Sequence, residues 1–366
     1  MNSIGDAPRF LPAAGKFPRL GAFAVRGVSY PSYRRGLYAS PGSAASIADL
    51  AKTGANYVAI VPTSYSRSIY DSSFYATGAT ESDAAVAEVI KLAHRDGLSV
   101  LLKPHVDPAD GKPRAAYAPR DVDAWFRNYE AFLLRYARLA SQNRVEMFGI
   151  GCELDTLVTG PYRDRWLRII RAIRAVYPGL LIYASGGAVG GADVSFWDAV
   201  DLIGVDAYNP LSRAIHPSVA ELVAGWRARP EGSWAAALTD GKPPLEYYRG
   251  LWEHYRKPVI FTEIGYKSVA GATARPGDWK YRARVDLDLQ ARAYQAFFEV
   301  WARESSWMEG AFLWNWEPVE HPERLPGGLA GYTPQNKPAG TVIRDWYSAM
   351  ANAGRQRAEL APAMLR

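Results

Sequence analysis

Two glutamates, Glu153 and Glu263, stand at the ends of apolar stretches of the same kind. Met147-Phe148-Gly149-Ile150-Gly151-Cys152 runs into Glu153, and Val259-Ile260-Phe261-Thr262 runs into Glu263. Short uncharged runs rich in β-branched and aromatic residues read as strands buried on both faces. A carboxylate at the end of such a strand is costly unless it is hydrogen-bonded or has work to do. The plainer alternative for either acid alone is a structural salt bridge. Taken as a pair, one protonated and one ionised, they have the residue types of a double-displacement glycosidase, which needs two carboxyl groups across a sugar ring.

The elements around them repeat. Strands are expected near residues 24–29, 57–61, 99–103, 147–152, 180–184, 202–205, 259–262 and 310–314, and helices at 43–52, 83–95, 125–140, 162–176, 287–304 and 342–353. A short helix near 194–199 and a segment at 218–255, holding a helix and a loop, complete the series; Ser43 is the expected N-cap of the first helix. Eight β–α units in order predict a single (β/α)8 TIM barrel, an α/β fold, over residues 23–356. An irregular arm (1–22) would precede it and a tail (357–366) would follow. The long segments 62–82, 104–124, 206–217, 264–286 and 315–340 all follow strand ends, on the face where this fold carries its active site. The two glutamates end the fourth and seventh strands of that face.

Other strand ends supply the remaining candidates. The sixth gives Asp206 and Tyr208, whose hydroxyl is placed to donate to Glu263. Asp206 reads equally as a substrate ligand or a structural acid. The third gives Lys103 and His105, alternating inward toward sugar hydroxyls, with a satisfied structural histidine as the alternative for His105. The eighth gives Trp314 and Trp316, candidate floors for a sugar, with a core role the alternative for Trp316. Period-two alternation puts Phe261 with Glu263 and Gly149 and Gly151 with Glu153, the glycines leaving room beside the acid. Asp155 points with Glu153. Cys152 would then pack toward the helices, with no base beside it to make it a nucleophile.

Composition narrows the class. The 366 residues are 48% hydrophobic and 22% charged, which suits a large-cored globular chain. The net charge of +6 is dispersed, so no nucleic-acid partner is indicated. The chain holds 12 Trp and 22 Tyr, and stacking on sugar faces in a carbohydrate cleft is one use for so many. One cysteine excludes an internal disulfide and a Cys-based zinc site, and the five His lack metal-ligand spacing. No metal or organic cofactor is implied. No apolar run is long enough to span a membrane, and residues 1–20 lack the apolar core of an export signal. The chain is therefore cytoplasmic, or exported with a leader already gone; oligomeric state is not legible. The glycine-rich loops of phosphate-binding barrels are missing after strands seven and eight.

At these residues the sequence resembles glycoside hydrolase family 113. The matching stretches are LLKPHVD (101–107), FGIGCELD (148–155), the RW..II..IR..Y pattern of 165–177, FWDAVDLIGVDAYNPLS (196–212), KPVIFTEIGYKS (257–268) and YTPQNKPA (332–339). The resemblance implies a retaining β-mannanase with Glu153 as acid/base, Glu263 as nucleophile, and Tyr208 and Trp314 at the family's Tyr and Trp positions. The partner it implies is a β-linked oligo- or polysaccharide. Most members of the wider clan carry Asn just before the acid/base, contacting the sugar 2-hydroxyl. Here Cys152 stands there, so that contact falls to Lys103, His105 or Asp206. Two rivals stay open: another β-hexosidase or transglycosylase, such as a β-glucanase, and a non-catalytic glycan-binding barrel.

Overall fold

The structure is a computed structural model that describes residues 23–186, 193–325 and 327–360. The arm expected at 1–22 and the last residues of the expected tail lie outside the described residues. The strands are β1 (Val25–Pro31), β2 (Tyr57–Val61), β3 (Thr63–Ser66), β4 (Ser99–Leu102), β5 (His105–Pro108), β6 (Met147–Cys152), β7 (Leu180–Ser185), β8 (Leu202–Asp206), β9 (Val259–Ile264) and β10 (Met308–Leu313). Eight of them close a parallel barrel in the order β1-β10-β9-β8-β7-β6-β4-β2. The fold is the expected TIM barrel. Pro62 and Pro104 follow β2 and β4, and beyond them β3 and β5 pair as a small parallel sheet above the barrel rim. That outgrowth carries His105 over the site.

Around the barrel lie α1 (Pro41–Ala51), α2 (Asp83–Arg95), α3 (Val122–Gln142), α4 (Arg163–Arg174), α5 (Val219–Arg227), α6 (Ser233–Ala237), α7 (Pro244–Tyr255), α8 (Leu287–Trp301) and α9 (Pro338–Leu360). The first helix starts earlier than expected. Ser40, not Ser43, caps it by accepting from the Ser43 amide, with Pro41 at the first helical position. The last helix extends past Ala353 to Leu360.

The core has two layers. Inside the barrel Val25, Ala59, Val61, Leu101, Met147, Ile182, Leu202, Ile260 and Phe312 fill the lumen. A larger layer packs between barrel and helices, where α3 buries Trp125, Phe126, Tyr129, Phe132, Leu133 and Tyr136. Eight of the twelve indoles go there, and Trp125, Trp166, Trp197, Trp226 and Trp301 are fully enclosed. The high Trp count therefore reflects packing more than a sugar cleft.

Candidate active site

Glu263 sits on β9, where the register against β8 slips between the pairs Val205–Phe261 and Asp206–Glu263. The slip is a β-bulge: one extra residue on β9 faces one fewer on its neighbour. Strict alternation is broken there. Phe261 points outward onto Trp301, ring centroids 4.7 Å apart. Both Thr262 and Glu263 turn toward the lumen: Thr262 donates to Asp206 Oδ1 at 2.7 Å, and Glu263 meets Lys103 and Tyr208. A second slip lies on β6, between the pairs Gly149–Ile182 and Cys152–Ala184. A Cβ on Gly149 would come 2.9 Å from Lys103 Cγ, so that glycine makes way for the lysine. A Cβ on Gly151 would instead strike the Tyr183 ring, on the helix side. The expected common face of Gly149, Gly151 and Glu153 does not exist. The bulge turns Cys152 inward, not toward the helices. Glu153 then leaves the strand in the left-handed region, φ 50°, its amide donating to the Ala184 carbonyl at 2.8 Å.

The nucleophile candidate is held from both sides. Lys103 Nζ donates to Glu263 Oε1 at 2.5 Å, and the Tyr208 hydroxyl donates to Oε2 at 2.9 Å. Lys103 is fully buried, with Asp206 Oδ1 3.9 Å away. Burial alone would discharge it; the Asp206 and Glu263 carboxylates outweigh burial and hold its pKa above the ordinary lysine value. Burial and the Glu263 charge keep Tyr208 protonated, so it stays a donor.

Glu153 has different company. The nearest cationic atom paired with it is Arg114 Nη1, 4.0 Å from Oε2. Its side chain is 31% exposed. Desolvation first, then the Asp206 charge, push its carboxyl above the usual carboxylate range, with Arg114 opposing. Asp155, 3% exposed, lies beneath it: a Cβ on Gly186 would meet Glu153 Cγ at 3.0 Å and Asp155 Oδ1 at 3.3 Å.

Between the two acids lies a group of residues centred on Arg114, which sequence reasoning missed. Its Nε donates to Asp107 at 2.7 Å, and Nη1 contacts His105 Nδ1 at 2.8 Å and Cys152 Sγ at 3.1 Å. A guanidinium only donates, so His105 Nδ1 accepts and Nε2 carries the proton. Burial, Arg114 and Lys103 depress the His105 pKa well below its ordinary value and keep the ring neutral. Among the described residues that Nε2–H is buried without a partner, 4.0 Å from Glu263 Oε1. The Cys152 thiol donates to Asp206 Oδ2 at 3.3 Å; burial, then the Asp206 charge, raise its pKa and keep it a thiol. Nothing local in the sequence marks Arg114. The one available signal was its place in a long βα loop.

The family is decided at this point by the whole chain. The family profile of Glycoside Hydrolase Family 113 matches residues 29–337. The chain belongs to glycoside hydrolase family 113. The family 113 β-mannanase from Alicyclobacillus acidocaldarius shares 30% identity and a TM-score of 0.77, over 90% of this chain and 98% of that one. A second family 113 β-1,4-mannanase structure gives 25% and 0.75, over 89% and 99%. The β-glucuronidase of Ruminococcus gnavus, at 14% identity and a TM-score of 0.55 over 90% of this chain and 50% of that one, shares the fold alone. No curated protein matches the sequence. The protein is accordingly a glycoside hydrolase, and its substrate is a glycan.

The remaining candidates of this family 113 chain fall into place around that chemistry. Lys103, His105, Asp206, Tyr208, Glu153 and Glu263 come together. Asp206 is 3% exposed with both oxygens engaged, by Thr262 and Cys152, so it supports the site from below. Trp314 is half-buried just past β10, and a Cβ on Gly265 would strike its carbonyl at 2.3 Å. Trp316 is not at a cleft: 6% exposed, it donates its indole N–H to the Ser46 carbonyl in the outer core. His105, Cys152 and Glu263 bring ligand atoms within 4.8 Å, as do Cys152, Glu153 and Asp206. Lys103 and Arg114 already neutralise those groups, so a metal cation there would face two fixed positive charges. Among the described residues no helix is long and apolar enough to cross a membrane.

Proposed function

We propose that this family 113 enzyme hydrolyses β-1,4-mannan or manno-oligosaccharides with retention, by double displacement. The observation that carries the roles is the unequal setting of the two acids: Glu263 is clamped by a charged lysine and a tyrosine, while Glu153, among the described residues, has only the Arg114 guanidinium 4.0 Å away and holds its proton. Glu263 attacks the anomeric carbon as the bond to the leaving oxygen breaks, and Glu153 delivers its proton to that oxygen. In the second step Glu153, now a carboxylate, takes a proton from water. The water oxygen bonds to the anomeric carbon and Glu263 departs. C2 is bonded to the attacked carbon, so its hydroxyl lies beside the nucleophile, within reach of the unpartnered His105 Nε2–H. The mannan assignment leans on the β-mannanase from Alicyclobacillus acidocaldarius. The test is product analysis of mannohexaose beside cellohexaose, with wild type and Glu263→Ala. Cleavage of mannohexaose by wild type alone, with the first-formed product a β-anomer by NMR, upholds the proposal. Cleavage of cellohexaose only moves the enzyme to the β-glucanases; an α-anomer overturns retention. Binding without turnover would leave a non-catalytic glycan barrel.

A further inference from the structure

One indole is presented to water at the edge of the site. Trp279 is 65% exposed, the largest exposure of any described tryptophan. It lies in the segment after β9, which is tied down at several points. Val269 and Val285 pair at its base, and Ala270 N donates to the Arg284 carbonyl at 2.8 Å. Lys267, only 6% exposed, spends its ammonium on two carbonyls of this loop, those of Trp279 at 3.2 Å and Tyr281 at 2.5 Å. Arg282 adds a third bond, to the Trp279 carbonyl at 2.9 Å. The Tyr332 hydroxyl holds Pro276 at 2.6 Å.

The same loop touches the site. A Cβ on Gly277 would lie 3.2 Å from Cβ of Tyr208, the residue that clamps Glu263. Two residues of chain span at most roughly 7 Å, so Trp279 stands next to the cleft. The Lys280 ammonium sits 4.9 Å from the indole centroid, steadying the ring on one side. Burying a lysine to hold a loop, and then leaving its tryptophan bare, is unfavourable for folding alone. A rigid, pre-placed aromatic face lowers the entropic cost of binding a flexible chain.

We propose that Trp279 is a stacking platform for a sugar ring of the glycan chain lying beyond the unit at which cleavage occurs. This rests on the assignment of Glu153 and Glu263 as the cleavage site. The free indole face takes the C–H face of a pyranose, so its contribution appears only with substrates long enough to reach it.

The test is the chain-length dependence of kcat/KM, measured on mannotriose and mannohexaose with wild type, Trp279→Ala and Trp279→Phe. The alanine variant is expected to lose about tenfold more on the hexaose than on the triose, and the phenylalanine variant to keep most of the wild-type ratio. A folding defect lowers both substrates alike and leaves the ratio intact. An unchanged ratio overturns the platform. If wild type leaves both manno-oligosaccharides whole, the substrate assignment falls separately. The platform is then judged by equilibrium binding of mannohexaose, cellohexaose and xylohexaose to wild type and Trp279→Ala. Weaker binding of any one by the variant upholds it, and equal or absent binding of all three overturns it.

Discussion

Glu263 and Glu153 are the same side chain at the same end of the same barrel, yet the protein treats them in opposite ways. Lys103 and Tyr208 each donate to one Glu263 oxygen, at 2.5 and 2.9 Å. Among the described residues Glu153 has only a guanidinium at 4.0 Å, with a left-handed backbone and a side chain partly open to the cleft. A nucleophile must stay ionised and aimed, so it is pinned. A group that gives and then takes a proton must change charge cheaply, so its one described ionic contact is a long one. The difference lies in the neighbours, and the neighbours can be altered one at a time.

The largest effect is expected from removing each acid. Glu263→Ala lowers turnover by about 10⁴-fold or more. Azide should restore part of it, giving a glycosyl azide of inverted configuration. Glu153→Ala costs about 10²–10⁴-fold on natural substrate, less on an aryl glycoside whose leaving group needs no proton, and azide there gives a retained product. If azide acts alike on both variants, the roles drawn from the contrast are wrong. Next comes the clamp. Lys103→Met leaves the Asp206 and Glu263 carboxylates facing each other, buried and uncompensated. Turnover should fall about 10²-fold, and stability by roughly 3–5 kcal/mol, read by denaturant melts. Unchanged stability would mean that Glu263 never depended on the lysine.

The pH response sharpens the other half of the comparison. The Glu153 carboxyl is raised above its ordinary value, so the protonated acid persists and activity declines only as pH climbs through that raised value. Glu153→Gln should abolish this alkaline limb for an activated aryl substrate. The linked effect on stability follows in sign. A raised folded pKa gives stability that is full below the ordinary carboxylate value and is lost as pH rises through the raised one. The glutamine variant should therefore melt higher than wild type at pH 8, with little difference at pH 4. A variant that melts lower at pH 8 would mean that Glu153 is stabilised as an anion.

How much of this was readable beforehand depends on what alternation can carry. The barrel, the strand ends and both glutamates followed from apolar runs and their order, because strand length and burial are written locally. The Tyr208 bond to Glu263 followed from its strand end, but Lys103, expected to face sugar hydroxyls, is fully buried and spends its ammonium on Glu263. The failures cluster at the two bulges. One extra residue on β9 and one on β6 invert the faces of Phe261, Gly151 and Cys152, and no composition signal announces a bulge. Arg114 was missed for another reason. It reaches the site from a loop, and its contacts with His105, Asp107 and Cys152 are fixed only by the fold. Trp316 takes the core role that stood as its alternative, because the chain past β10 turns its indole toward α1.

The smallest perturbation tests the freedom ascribed to Glu153. Gly186→Ala would place a methyl 3.0 Å from Glu153 Cγ and 3.3 Å from Asp155 Oδ1. Such contacts are relieved by shifts of a few tenths of an ångström. Where the displaced group is unpinned, the cost should be modest: kcat lower by about tenfold or less, KM nearly unchanged, and the alkaline limb moved because the carboxyl's surroundings have changed. A loss as deep as that of Lys103→Met would show that Glu153 is held as rigidly as Glu263. The acid would then work by fixed placement, and the contrast between clamped nucleophile and mobile acid would no longer describe the site.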